Sequence, residues 1–163
     1  MHILVATDAA WVLDELRAAL EGPDVTFSIC TDGRDVAGFV RAHQPDVAVL
    51  DLQVGTMGGM ATTMQLRLDE SSGLLPRVPI VMLLDRSADI HLARRSSADG
   101  WLIKPLDALR IRRAVTTVAG GGTFHEGVPV AAPTEAADAA VEDTAASADA
   151  AADSPTGEPA TTG

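Results

Sequence analysis

Asp46-Val47-Ala48-Val49-Leu50-Asp51 is the stretch on which the fold turns. Four consecutive apolar residues lie between two carboxylates, with Gln44-Pro45 before them and Leu52-Gln53-Val54-Gly55 after. An apolar run without alternation suits a strand buried on both faces, as in a parallel sheet flanked by helices. Asp51 then falls at the carboxyl end of that strand. In open α/β sheets this edge is where ligands bind, at the point where the strand order reverses.

Working outward, Ile3-Leu4-Val5-Ala6 is the first strand, and Thr7-Asp8 follows it with Asp8 placed to cap a helix. Leu13, Leu16 and Leu20, with Val12 beside them, predict an amphipathic helix over about 9–20. Glu21-Gly22-Pro23-Asp24 ends it, Val25 to Cys30 is the second strand, and Thr31-Asp32-Gly33 is a turn. Val36, Phe39 and Val40 give the second helix its buried face, and Pro45 stops it. Beyond Asp51, glycines 55, 58 and 59 mark a flexible connection, and Met60, Met64 and Leu68 are spaced as the core stripe of a third helix. Ile80 to Leu84 is a fourth unalternating strand. A weakly amphipathic helix is predicted over about 88–97. Gly100 to Ile103 then forms a fifth strand ending at Lys104-Pro105, and Leu109, Ile111, Val115 and Val118 mark a fifth helix. Five alternations of strand and helix predict right-handed crossovers: an α/β fold, a flavodoxin-like three-layer sandwich around a five-stranded parallel sheet.

Composition divides the 163 residues in two. The first 119 carry all 12 basic residues against 15 acids, while the remainder carries 8 acids and no base. The first segment, 1–119, therefore reads as the folded domain. From Gly120 onward, 120–163 reads as a disordered tail of Ala, Pro, Thr and acid, with too little apolar surface to offset its chain entropy. Such a tail argues against nucleic-acid binding through it. One cysteine, Cys30, excludes an internal disulfide and is expected to be reduced and buried. No apolar run approaches the roughly 18 residues a membrane span needs, and no secretory leader precedes Ile3, so a cytoplasmic location is expected. The chain uses 11 Arg but a single Lys, Lys104, which singles that residue out.

Three polar residues close predicted strands: Asp8, Asp51 and Lys104. With the order 2-1-3-4-5, the first and third strands are neighbours about 4.8 Å apart. Two carboxylates so close either share a proton or recruit a hard cation such as Mg²⁺. Lys104, two strands away, is within reach of Asp51 or of phosphoryl oxygens attached to it. A carboxylate nucleophile, a cation and an ammonium are the parts required for acyl-phosphate chemistry.

These residues resemble the receiver domain of two-component response regulators over about 2–119. The likeness rests on Leu4-Val5-Ala6-Thr7-Asp8, on Pro45 to Asp51 with Gly59 eight residues on, and on Gly100-Trp101-Leu102-Ile103-Lys104-Pro105. It implies that Asp51 is a phosphoacceptor and Lys104 its phosphoryl-contacting lysine. It implies that Asp8, Asp51 and the Gln53 carbonyl are Mg²⁺ ligands, with Leu84 and Trp101 at the switch positions. Three departures bear on function. Thr7 stands where the family usually has a second acid, Leu84 where it has Ser or Thr, and Val54-Gly55 where Met-Pro is common. Loss of a carboxylate weakens Mg²⁺ binding. Leu84 has no hydroxyl with which to reach a phosphoryl oxygen.

Two readings therefore stand: a phospho-receiver charged by a histidine kinase, and an atypical stand-alone module, not an enzyme, whose output is independent of phosphate. A haloacid-type phosphatase needs an acid two residues past the nucleophile, where this chain has Gln53, and no Gly-rich dinucleotide fingerprint follows the first strand. The residues after 119 are too few and too polar to build a DNA-binding output domain. Action is expected through protein partners: a histidine kinase, a target complex, or a second copy of the chain as a homodimer. The expected surface joins the fourth helix, fifth strand and fifth helix, where Arg94, Arg95, Arg110, Arg112 and Arg113 lie, either as a solvated basic face or as a site for an acidic partner or the tail.

Overall fold

A computed structural model describes residues 1–127; the remainder of the predicted tail lies outside the described residues. Strands β1 (His2–Ala6), β2 (Thr26–Cys30), β3 (Val47–Asp51), β4 (Ile80–Leu84) and β5 (Gly100–Ile103) alternate with helices α1 (Ala10–Leu20), α2 (Val36–His43), α3 (Gly59–Ser71), α4 (Ile90–Arg95) and α5 (Ala108–Ala119). All pairings are parallel, and the order β2-β1-β3-β4-β5 is continued by a short sixth strand, β6 (Phe124–His125). The five-stranded doubly wound sheet is thus as expected from the alternation. The addition at its edge is not, and it carries ordered structure past residue 119.

The unalternating runs are explained by two cores. Leu4, Ala6, Ala48, Leu50, Ile80, Met82, Leu84 and Trp101 point to the layer of α2, α3 and α4. Ile3, Val5, Val47, Val49, Val81, Leu83 and Leu102 point to α1 and α5, meeting Val12, Leu16, Ile111, Val115 and Val118. Successive side chains alternate faces, and both faces are covered, so every position of β3 and β4 is apolar until the strand ends. Cys30 is a buried free thiol. Among the described residues no helix is long and apolar enough to cross a membrane.

Four local expectations need correction. The core face of α3 is Gly59, Thr62, Thr63 and Leu66, while Met64 is 46% and Leu68 67% exposed. The reason is close approach. A Cβ on Gly59 would lie 2.5 Å from the Asp51 carbonyl oxygen, so this end of α3 meets β3 through small residues. Thr63 returns its hydroxyl to the Gly59 carbonyl (2.8 Å), and Thr62 donates to that of Met57 (3.1 Å). Met64 and Leu68 instead line a shallow groove of about 580 Å³ with Met57, Arg67, Arg95 and Ser97. Leu109 is likewise outside the core of α5, at 68% exposure. Regular α4 is shorter than 88–97 because Ser87–Asp89 winds as a 3₁₀ turn before it. Asp8 does not cap α1: the cap residue is Ala9, whose N–H donates to the Thr7 hydroxyl (3.2 Å). Because Leu68 contributes little buried area, Leu68→Ser is expected to change folding stability by less than about 0.5 kcal/mol. A loss above about 1 kcal/mol in urea titration would return Leu68 to the core.

Candidate functional site

Asp51 closes β3 with its carboxylate inside the protein; its side chain is 2% exposed. Burial of a carboxylate is costly unless its oxygens are satisfied. Here Oδ1 accepts from Lys104 Nζ (2.8 Å) and from the Gln53 N–H (3.1 Å). The second of these is a local turn that Asp forms with the backbone two residues on. Oδ2 accepts from the Thr7 hydroxyl (3.0 Å) at the end of the neighbouring strand β1.

Lys104 reaches Asp51 from the end of β5 across β4, and its peptide bond to Pro105 is cis. Its ammonium also donates to Asp85 Oδ1 (2.9 Å), the residue that follows β4, and sits 5.4 Å from the Trp11 ring centroid. Burial alone would lower the pKa of this ammonium. The hydrogen bonds and charges of Asp51 and Asp85 outweigh that cost and hold it above the ordinary lysine value. Asp85 was not among the residues singled out from sequence. The same rule that marks Asp51, a carboxylate directly after an apolar run, marks Asp85 after Ile80 to Leu84.

Thr7 and Asp8 are placed differently at the end of β1. Thr7 is buried and bonded to Asp51, whereas Asp8 is exposed, its Oδ2 lying 3.2 Å from where a Gly55 Cβ would stand. Gln53 is exposed beside them. No group of three or more His, Cys, Asp or Glu among the described residues is placed to hold a metal. The donor chemistry of Asp8, Asp51 and a Gln53 carbonyl is nonetheless that of Mg²⁺, which binds through one or two carboxylates and keeps several waters.

The two positions at which the resemblance places a switch are both interior. Leu84 is fully buried and Trp101 1% exposed, in the same apolar layer. Trp101 donates its indole N–H to the Glu126 carbonyl (2.9 Å), and the His125 ring stacks on it at 4.1 Å. The five arginines do not form one face. Arg94 lies over the Trp101 ring (5.8 Å) and Arg95 borders the α3–α4 groove. Arg110 is engaged by Glu126, Asp107 and the carbonyls of Pro105 and Ile103. Arg112 turns to α1, donating twice to the Ala19 carbonyl (2.8 and 3.1 Å), and Arg113 is exposed.

A doubly wound sheet with an Asp and a Lys joined at its carboxyl edge defines a receiver-type signalling domain. The chain belongs to the response regulator receiver domain family, whose family model matches residues 3–116. It is 31% identical over 138 residues to the transcriptional regulatory protein CseB of Streptomyces coelicolor, covering 80% of this chain and 56% of that protein. It is 28% identical over 120 residues to Protein PilH of Pseudomonas aeruginosa, covering 74% of this chain and 98% of PilH. The signal receiver domain of the Mycobacterium tuberculosis response regulator NarL superposes with a TM-score of 0.62 at 26% identity, over 74% of this chain and 96% of that one. The chain thus spans about half the length of its CseB relative and nearly all of PilH.

Proposed function

We propose that this receiver domain is a signalling adaptor that acts through protein contacts in the cytoplasm, with an output that does not depend on phosphorylation of Asp51. The observation that carries the reading is Leu84. It stands fully buried at the end of β4, so the position next to the Asp51–Lys104 pair offers no hydroxyl to follow a phosphoryl group. The second switch residue, Trp101, is held inward from the far side by His125 and Glu126. A change of charge at Asp51 therefore has no paired element through which to reach the α4–β5–α5 surface. A conformational response requires contacts that differ between two states.

A second reading is favoured by the 2.8 Å contact between Lys104 and Asp51: the carboxylate accepts phosphate from a histidine kinase. Mg²⁺ held by Asp8, Asp51 and the Gln53 carbonyl would then supply positive charge toward the incoming phosphoryl group. With Thr7 in place of an acid, that site is weak. The Thr7 hydroxyl would have to release Asp51 Oδ2 before that oxygen is free to attack.

Trp101 fluorescence separates the readings, with Trp11→Phe removing the other indole. Beryllofluoride with Mg²⁺ is expected to leave the emission unchanged when Leu84 is present and to shift it in Leu84→Thr. Mass spectrometry after acetyl phosphate and Mg²⁺ reports whether Asp51 is modified at all. A wild-type emission shift that disappears in Asp51→Asn would replace the adaptor reading with the phospho-receiver.

A further inference from the structure

Without the residues after α5, β5 would be an edge strand with an unpaired row of backbone donors and acceptors. Phe124–His125 fills that row in parallel, with Gly100 opposite Phe124 and Trp101 opposite His125. Gly100 permits the approach, since a Cβ there would lie 2.9 Å from the Phe124 carbonyl oxygen. Two residues of ladder are too short to hold alone, and the side chains add what the ladder lacks. The His125 ring stacks on the Trp101 indole, with 10° between planes. Glu126 Oε2 accepts from the Ile103 N–H (2.6 Å), and its other oxygen pairs with Arg110. The Glu126 carbonyl takes the Trp101 indole N–H. The body of the domain thus offers three kinds of recognition side by side: a strand edge, an aromatic platform, and an amide with a guanidinium for one carboxylate.

We propose that this edge, built from Gly100, Trp101, Ile103 and Arg110, is a strand-receiving site. It is specific for an extended segment in which a stacking ring is followed by a carboxylate. The chain fills it in cis with Phe124 to Glu126, and a protein partner presenting a segment of the same chemistry fills it in trans when the cis segment leaves. Main-chain pairing supplies affinity in such augmentation, and the side-chain contacts supply specificity. A tethered segment competes at an effective concentration in the millimolar range, so the cis contact sets a threshold for the partner. This site is independent of whether Asp51 is ever phosphorylated.

The test uses the full chain carrying His125→Ala with Glu126→Ala, and as probe a capped synthetic peptide with the sequence of residues 122–127. By NMR the variant is expected to bind the peptide saturably at up to about 5 mM, with shifts at Trp101 and Ile103, whereas the wild type binds roughly tenfold more weakly. A peptide with glutamine for its glutamate, or Arg110→Ala added to the variant, is expected to lose this binding. Absence of saturable binding, or equal binding by the glutamine peptide, overturns the proposal. If the double variant folds poorly, hydrogen exchange decides with a milder one. Glu126→Gln is expected to speed exchange of the Ile103 amide roughly tenfold relative to wild type, as local opening of this edge becomes easier. Unchanged exchange means that the carboxylate does not hold the edge, and the site is lost.

Discussion

Lys104→Met is expected to lower folding stability by about 3 kcal/mol, the scale of losing one partner of a buried ion pair. The cost arises at Asp51. Its carboxylate is sealed from solvent, and without the ammonium it retains only the Thr7 hydroxyl and the Gln53 N–H. Asp85 loses the same partner but is one-third exposed, so water can replace it. Methionine keeps the length of the stem, which limits any contribution from packing. A double-mutant cycle with Asp51→Asn isolates the pair: a coupling of about 2 kcal/mol is expected in urea titrations, and additivity to within about 0.5 kcal/mol would remove the pair from the stability account. The pH dependence follows from the raised pKa of Lys104. A group whose folded value lies above its unfolded one stabilises fully below the unfolded pKa, about 10.4 for lysine, and loses that stabilisation as pH rises through the folded value. The difference between wild type and Lys104→Met should therefore be constant near neutrality and shrink as the pH rises into the alkaline range.

Gly33→Ala is expected to cost more than about 3 kcal/mol, because the added methyl meets backbone and cannot be accommodated by a rotamer change. A Cβ at Gly33 would stand 1.9 Å from the Met57 carbonyl oxygen and 2.5 Å from Thr62 Oγ1. Gly33 also donates its N–H to the Gly55 carbonyl (3.2 Å) and accepts from the Thr62 hydroxyl (3.4 Å). These contacts tie the turn after β2 to the β3–α3 connection, which carries Gln53 and Gly55 beside the site. The variant should accordingly disturb the Asp51 surroundings as well as lower the melting temperature. A stability within about 1 kcal/mol of wild type would mean that the two loops are not in contact in solution.

What local sequence determined is the layered sheet and two of the groups at its edge. A strand covered on both faces must be apolar at every position, so Val47 to Leu50 and Ile80 to Leu84 declare their place without reference to any neighbour. The first polar residue after such a run has to sit at the rim, and this makes Asp51 legible, as it makes Lys104 legible after Trp101-Leu102-Ile103. Their mutual contact follows from the strand order.

Tertiary structure alone decided the rest, because each feature depends on distances between segments that share no periodicity. Met60, Met64 and Leu68 have helical spacing, but which face of α3 turns inward is set by how near its backbone comes to Asp51, and that approach admits only small residues. Thr7 and Asp8 are adjacent in sequence. Only the geometry at the end of β1 sends the hydroxyl to Asp51 and leaves Asp8 exposed. Arg110 looks like a free surface charge until Glu126 is brought to it. The sixth strand is two residues long, too short for any alternation to register. It exists because the fold brings the edge of β5, the Trp101 indole and the Arg110 guanidinium together at the place where Phe124 to Glu126 meet them.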